Sequence, residues 1–551
     1  MSKVNELLRE GRYEDLWQLC CGFIDLSIDQ FMTIQKSLLL EQIELLKKCE
    51  LGRRIFRGAM PNSVEEFRRQ VPLTTYTDYC PDLLEKREDV LPAKPIRWIQ
   101  TLGRTGEYPF KIVPISERFW EEAGIDFTAV AIFGSCNKKG EVVIRSGMKS
   151  LYAASGLPYL TSAVAHRLIE DLDFVYLPNI DEAEKLPFDK RVEKGFELAL
   201  SQGMNAFFGI AGVLVAIGKR FNQEKHNTNK RTLLMHPSIL FRILKGKIIS
   251  KKARRPLMPK DLWNLEVIVS MGTDSLVYKD KIQELWGRKP LNVFGNTETT
   301  IVATQTWDYK DMVFFPNLNF LEFIPEEEWG GNQANIYNIP KTVFLDEVKP
   351  GKLYELVITN FHGGALVRYR TGEIIRITSL SNEQLGIKLP HMINEGRIDD
   401  FIDLSFVRLN ERTIWQALEN TGIKYKEWTA CKEIGDTPRL HLYIELASGY
   451  YESETNIEKK LFEEIKKLDD GAYVYNEISS IESLLNFKPI VVTILPEGVF
   501  SGYKKIRQSQ GANIGQLKPP HVNPSENDLS LLQISSKSIL EKYGEKILQN
   551  K

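Results

Sequence analysis

Residues 353–377 read LYELVITNFHGGALVRYRTGEIIRI. Two β-branched, apolar-rich runs, Leu353–Thr359 and Ala365–Tyr369, flank a loop carrying Gly363 and Gly364, which predicts a hairpin. A third run, Ile374–Ile377, follows at once, so Arg370–Glu373 is expected to turn the chain between strands. Gly372 can adopt a positive φ without steric cost, leaving Arg370 and Glu373 to project from a rigid turn. A guanidinium and a carboxylate so held suit a polar ligand. Taken alone, such a turn is more often solvated punctuation.

Upstream, Leu265–Ser270 (LEVIVS) is an apolar run ending in Met271–Asp274. A helical pattern at Tyr278–Trp286 follows, then a strand, Pro290–Phe294, and a polar turn, Gly295–Thr299. This strand–turn–helix–strand order predicts parallel pairing, which leaves ligand groups at the carboxyl ends of the strands. Arg97–Thr101 is a strand candidate followed by the glycine-punctuated Leu102–Ser116 (LGRTGEYPFKIVPIS). There Gly103 and Gly106 let backbone amides converge, and Arg104, Thr105 and Lys111 add donors. The loop reads equally as a hairpin tip or a phosphate cradle, and its spacing is not that of a Walker loop. Phe127–Gly134 and Glu141–Ser146 are expected as strands. The apolar run Ala206–Gly218 is expected as a buried helix, too short for a bilayer span.

Composition narrows the class. An apolar fraction of 43% and a charged fraction of 26% are those of a soluble globular protein, and 551 residues exceed what one core accommodates. A formal net charge of −1 points to neither a nucleic-acid nor an anionic-membrane partner. The basic run Lys245–Arg255 (KGKIISKKARR) is the exception and is expected as a solvated loop. Six cysteines without a C-x-x-C pair indicate neither a disulfide framework nor a zinc site, and a cytoplasmic protein is expected. The amphipathic N-terminus lacks a signal-peptide apolar core. His362, beside two glycines, reads as a loop histidine. No Ser-His-Asp spacing and no G-x-S-x-G supports nucleophilic hydrolysis.

Three ligand-like turns remain: Gly103–Gly106, Gly295–Glu298 and Arg370–Glu373. A nucleotide needs donors for its phosphates, a carboxylate for magnesium and a carboxylate for its ribose, and the turns offer loop amides, Glu298 and Glu373 in that order. Together these residues resemble the adenylate-forming superfamily, and within it the acyl-acid amido synthetases that conjugate auxin and jasmonate in plants, with their bacterial relatives. VFGNTET (Val293–Thr299), LVRYRTGE (Leu366–Glu373) and GRIDDFIDL (Gly396–Leu404) are similar to the metal/adenine, ribose and hinge motifs. VPLTTYTDY (Val71–Tyr79), FFGIAGVLVAIGKRF (Phe207–Phe221), FLEFIPEEEW (Phe320–Trp329), VKPGKLYELVITNF (Val348–Phe361) and SQGANIGQLKPPHV (Ser509–Val522) resemble the amido synthetase framework. The likeness spans about residues 60–525.

The resemblance implies an α/β protein: a large multi-sheet adenylation body over residues 1–395 and a small α+β lid over 396–551. It implies ATP and Mg2+, a small-molecule carboxylic acid and an amine acceptor such as an amino acid, in a monomer or weak homodimer. Glu298 is assigned to the metal and to catalysis. The nucleotide falls to Arg104, Thr105, Gly106, Gly272, Thr273, Phe294, Gly295, Asn296, Thr297, Glu298, Glu373 and Arg397. Arg408 and Lys518 on the lid are the catalytic cations. The chain departs from the family pattern in several places. Leu102 and Arg104 stand where hydroxyls are expected, Glu373 replaces aspartate, Phe294 replaces tyrosine and Arg408 replaces lysine. A coenzyme A ligase, or a relative that has lost catalysis, would share much of this set.

Overall fold

The computed structural model describes residues 2–101, 110–154, 156–211, 214–215, 217–219, 237–271, 275–328, 340–397, 401–404, 408–434, 438–468, 490–509 and 521–549. The side chains of Arg397 and Arg408 are among a few excepted within these spans. Two compact units emerge, one of Met1–Thr101 and Lys111–Ile398, the other of Leu102–Phe110 and Asp399–Lys551.

The first unit opens with helices, of which Ile28–Lys48 is the longest of the N-terminal group. It starts at a capping box, with Ser27 Oγ accepting from Gln30 N–H and Ser27 N–H donating to Gln30 Oε1. Its buried face carries Phe31, Leu39, Ile43 and Leu46 at helical spacing, interleaved with two buried glutamines. These glutamines bind backbone. Gln35 Nε2 donates to the carbonyls of Pro316 (2.6 Å) and Asn319 (2.8 Å), and Gln42 spans the N–H of Gly363 (2.8 Å) and the carbonyl of Gly364 (2.9 Å). The helix thereby fixes the loop whose glycines interrupt residues 353–377.

A two-stranded sheet pairs β1 (Pro95–Gln100) with β2 (Ile112–Ser116). The main sheet uses β3 (Lys149–Leu151), β4 (Val175–Leu177), β5 (Ala206–Ile210), β6 (Val267–Met271), β7 (Leu291–Phe294) and β8 (Ala303–Thr304). It continues through β9 (Met312–Phe314), β10 (Asn319–Pro325), β11 (Leu353–Asn360), β12 (Tyr369–Ser379) and β13 (His391–Arg397). Its order is β10-β11-β12-β13-β9-β8-β7-β6-β5-β3-β4. From β4 to β7 the pairings are parallel, and from β7 to β10 they are antiparallel. The parallel pairing expected around Leu265–Phe294 is present. The carboxyl end of β7 lies where the two halves meet, a place where α/β sheets collect ligand groups.

Five local expectations are corrected. Phe127–Gly134 lies inside the helix Glu117–Ser135, and Glu141–Ser146 forms no strand. The helix is buried on every side from Phe127 to Ser135, so its sequence shows no 3.6-residue period, and continuous apolar β-branched sequence mimics a strand. The run Ala206–Gly218 begins as strand β5, parallel to β6, before turning helical at Ala211. A short apolar run carries no period that separates a buried strand from a buried helix. Lys245–Lys252 belongs to the helix Pro237–Lys252 rather than to a loop.

The fifth correction falls on residues 353–377. β11 and β12 form the expected antiparallel pair, but the second strand starts at Tyr369 and runs unbroken to Ser379. Arg370–Glu373 is a bulge within it: Val357 faces Arg370 and Glu355 faces Ile374, so one residue opposes three. Gly372, at φ +71°, absorbs the extra length in the left-handed region. Just before it, Arg368 takes φ +45° and is buried. Its guanidinium forks onto Glu322 of β10 (3.1 and 2.9 Å) and donates to the carbonyls of Arg68 (2.7 Å) and Val71 (2.5 Å). Arg370 does not project. It forks onto Glu355, with Nε 3.0 Å and Nη2 2.6 Å from the carboxylate oxygens.

In the second unit, β14 (Phe401–Asp403) pairs with β15 (Arg408–Asn410), and a three-stranded sheet has the order β16-β17-β18 (Tyr425–Ile434, Pro438–Leu446, Ile490–Leu495). The β17–β18 pair is parallel. The helices Val499–Ser509 and Glu526–Gln549 close on Val499, Phe500, Tyr503, Leu531 and Leu532. His521 stacks on Trp428 at 4.5 Å, with Nδ1 2.6 Å from Glu411 Oε1 and Nε2 2.9 Å from Glu427 Oε1. Glu427 foremost, and Glu411, raise the imidazole pKa above its ordinary value against the opposing effect of burial. The stabilisation is therefore complete below the unfolded value of about 6.5 and is lost as pH rises through the higher folded value. Burial lowers the pKa of His441 in the same unit, with the opposite pH slope, so the comparison must be differential. The gap in unfolding free energy between the native chain and His521→Gln should shrink as pH rises above about 6.5. A gap independent of pH would refute the assignment.

Candidate active site

β7 ends at buried Phe294, and the chain turns through Gly295–Thr299. Asn296 shapes that turn: its Oδ1 accepts from the N–H groups of Glu298 (3.1 Å) and Thr299 (3.0 Å), while Thr299 Oγ1 accepts from Asn296 N–H (3.0 Å). Two further asparagines hold it from the sheet. Asn319, first in β10, donates to the Thr299 carbonyl (2.9 Å), and Asn360, last in β11, donates to the Glu298 carbonyl (3.1 Å). Gly295 is dictated by space, because a Cβ there would stand 2.5 Å from the Thr300 carbonyl oxygen and 2.8 Å from Ile301 Cα.

The Glu298 carboxylate is buried. Its Oε1 accepts from Lys111 Nζ at 2.9 Å and lies 3.4 Å from the Tyr369 hydroxyl, which is itself 2.8 Å from Lys111 Nζ. The ammonium sits 5.7 and 5.5 Å from the ring centroids of Tyr76 and Tyr369, within cation–π range. A lysine and a glutamate separated by 187 positions thus form a buried ion pair beside two aromatic faces.

The segment Thr74–Tyr79 sets Lys111 and Tyr369. Tyr76 OH accepts from Ile112 N–H (2.7 Å) and donates to the Ile112 carbonyl (3.0 Å), which fixes the residue after Lys111. Tyr79 OH accepts from Val367 N–H (2.8 Å), and Thr74 bonds through its backbone to Arg368 and Arg370 (2.9 Å each). Tyr369 is held between these. Burial pushes the Tyr79 phenol well above its usual range, so it stays neutral and able to donate.

Asn296 also joins the turn to β12, its Nδ2 donating to Glu373 Oε1 at 3.3 Å. Glu373 is buried and faces Arg397 in the β12–β13 register. Asn296, Glu298 and Glu373 are thereby brought together, with half-buried Thr297 and exposed Gly295 on the same turn. Arg104, Thr105, Gly106, Gly272, Thr273 and Lys518 lie outside the described residues, as do the side chains of Arg397 and Arg408. His362 is pinned, with Nε2 2.7 Å from the Asn317 carbonyl oxygen and its own carbonyl accepting from Ser116 Oγ (2.6 Å). Burial lowers its pKa. It is a loop histidine.

Sequence reading missed Tyr76, Tyr369, Asn319 and Asn360, and counted Lys111 only as a loop donor. The framework segment VPLTTYTDY was the available signal, since its buried hydroxyls need partners.

Among the described residues no group of three or more His, Cys, Asp or Glu is assembled for a metal, and no helix is long and apolar enough to cross a membrane. Magnesium ordinarily takes only one or two protein carboxylates beside substrate phosphates. Glu298, a buried oxygen donor already holding a cation, fits that requirement.

Comparison with known proteins follows the same outline. Residues 21–168 match a model of the GH3 family N-terminal domain, and residues 312–389 match a model of the GH3 family central domain. The chain is 27% identical over 296 residues to 4-substituted benzoates-glutamate ligase GH3.12 of Arabidopsis thaliana, covering 50% of this chain and 48% of that one. It thus spans about half the length of the curated relatives it matches. Among solved structures, AtGH3.15 acyl acid amido synthetase superposes with a TM-score of 0.51 at 16% identity, covering 94% of this chain and 95% of that one. 2-Hydroxyisobutyryl-CoA ligase gives 0.55 at 15%, covering 85% and 87%. The fold is that of the adenylate-forming enzymes.

Proposed function

We propose, from the match of residues 21–168 and 312–389 to models of the GH3 family N-terminal and central domains, that the chain is an AMP-forming acid–amine ligase. A carboxylic acid attacks the α-phosphorus of ATP, forming the acyl–phosphate bond of an acyl adenylate and expelling pyrophosphate. An amine, such as that of an amino acid, then attacks the acyl carbon, giving an amide and AMP.

One observation carries this reading: the polar cluster at the end of β7, where Glu298, Asn296, Glu373 and Lys111 converge. Asn296 and Glu373 supply an amide and a carboxylate suited to ribose hydroxyls, and Phe294 supplies an aromatic ring near the base. Glu298 is the residue to hold Mg2+, which when bound neutralises charge on the phosphate oxygens. Lys111 fixes Glu298 in place and adds a positive charge beside it. The loop residues Arg104, Thr105 and Gly106, the pair Gly272 and Thr273, and the cations Arg397, Arg408 and Lys518 complete the proposed set from sequence. Residues 396–551 act as the lid in this scheme.

The fold is shared with coenzyme A ligases, so the second half-reaction needs a chemical test. Purified protein is incubated with ATP, Mg2+ and a carboxylic-acid library, with amino acids or with coenzyme A, and products are weighed by mass spectrometry. Amides formed with the amino acid supports the proposal; thioester in its place, or no product with either, refutes it. Glu373→Gln should raise the KM for ATP about tenfold, the effect of one weakened charge-assisted hydrogen bond. The KM for the acid should stay unchanged. An unaltered KM for ATP would remove Glu373 from the ribose.

A further inference from the structure

The helix Pro237–Lys252 is apolar on two opposite sides. Ile239, Ile243 and Ser250 are buried, and a Cβ on Gly246 would stand 2.5 Å from Leu262 Cδ2. That side is packed against the body of the protein. On the other, Leu240 is 45% exposed, Phe241 71%, Leu244 51% and Ile248 57%. At helical periodicity these four fall within a sector of roughly 100°. A surface helix ordinarily turns polar residues outward, and a contiguous apolar stripe marks an interaction site.

The same projection sets exposed Lys247 just outside one margin of the stripe, exposed Lys245 and Lys252 along the other, and exposed Lys251 in line with the stripe at its C-terminal end. Between Pro237 and Lys260 the sequence holds eight Lys and Arg and no Asp or Glu, in a chain of net charge −1. Two of the eight are used internally: Arg242 donates to the Leu200 and Leu262 carbonyls, and Arg255 pairs with Asp261. These four lysines and Arg254 are exposed.

We propose that this face is an interfacial docking surface for an anionic lipid bilayer. The helix lies along the bilayer surface and does not span it. Cations alone would suit a nucleic acid, and an apolar stripe alone would suit a protein. The two together match the headgroup–acyl boundary, where Leu240, Phe241, Leu244 and Ile248 enter the acyl layer. The lysine stems run beside them and leave their ammonium groups among the phosphates. The acid-free stretch provides the charge complementarity that selects anionic over neutral lipid. The expectation of no anionic-membrane partner rested on net charge, which averages this local field away.

The test is flotation of the full chain with vesicles of phosphatidylcholine alone or mixed with phosphatidylglycerol. The protein should partition onto the mixed vesicles only, and less as salt is raised. Phe241→Ser should weaken partition about tenfold or more through lost apolar burial. Lys245→Glu with Lys247→Glu should do the same through lost charge attraction. These side chains are exposed, so unchanged circular dichroism is expected in both variants. Three results would overturn the proposal. These are no flotation on mixed vesicles at low salt, duplex DNA binding indifferent to Phe241→Ser without vesicle binding, and self-association abolished by Phe241→Ser without vesicle binding.

Discussion

Replacing Glu298 with glutamine should lower acid-dependent pyrophosphate release by about 10²-fold or more while costing less stability than alanine at the same position. The buried Glu298 Oε1 sits 2.9 Å from Lys111 Nζ, and glutamine keeps an acceptor there for the ammonium while removing the charge. Glu298→Ala is a different experiment. It removes the acceptor as well as the charge beside the buried Lys111 ammonium, at a cost of about 3 kcal/mol or more, so lost activity and lost stability would be confounded. The alanine variant should therefore unfold at lower urea than the glutamine variant. If glutamine retains full turnover at low Mg2+, Glu298 has no metal role. If both variants unfold alike, the acceptor that glutamine keeps for Lys111 contributes nothing measurable.

The largest stability effect is expected at Arg368. Its guanidinium is buried and forked onto a fully buried Glu322, and it also satisfies the carbonyls of Arg68 and Val71. Arg368→Met strands the glutamate and should destabilise the chain by about 3–5 kcal/mol. Glu322→Leu strands the arginine and should cost a similar amount. The double variant removes both charges and should recover part of the loss, yet the two carbonyls remain unpaired at about 1–3 kcal/mol each. Urea unfolding of the four proteins, followed by circular dichroism, tests this. Strictly additive losses, or a single-variant loss under about 1 kcal/mol, would contradict the account.

What sequence made legible follows from what local chemistry reveals. Glycines flanked by β-branched runs marked Gly295–Thr299 and Arg370–Glu373, because turn chemistry is written in adjacent residues. The distinction between a turn and a bulge at Gly372 was not, since it depends on how many residues β11 sets opposite. Phe127–Gly134 was misread because complete burial erases the period that separates helix from strand. The Lys111–Glu298 pair and its Tyr76–Tyr369 walls join segments that no local rule connects. Arg370, read as a ligand group, is instead bound to Glu355, a partner visible only once β11 and β12 are in register. Asn319 and Asn360 escaped notice for the same reason, since each sits at a strand end whose neighbour is set by sheet order.

The proposed role of this cluster is activation of a carboxylic acid with ATP. It is tested most directly by ATP–pyrophosphate exchange, following labelled pyrophosphate into ATP with Mg2+ and a broad set of acids but no amine acceptor. Acid-dependent exchange that falls about 10²-fold or more in Glu298→Gln is predicted. No exchange with any acid by a protein that also fails to bind ATP would contradict it.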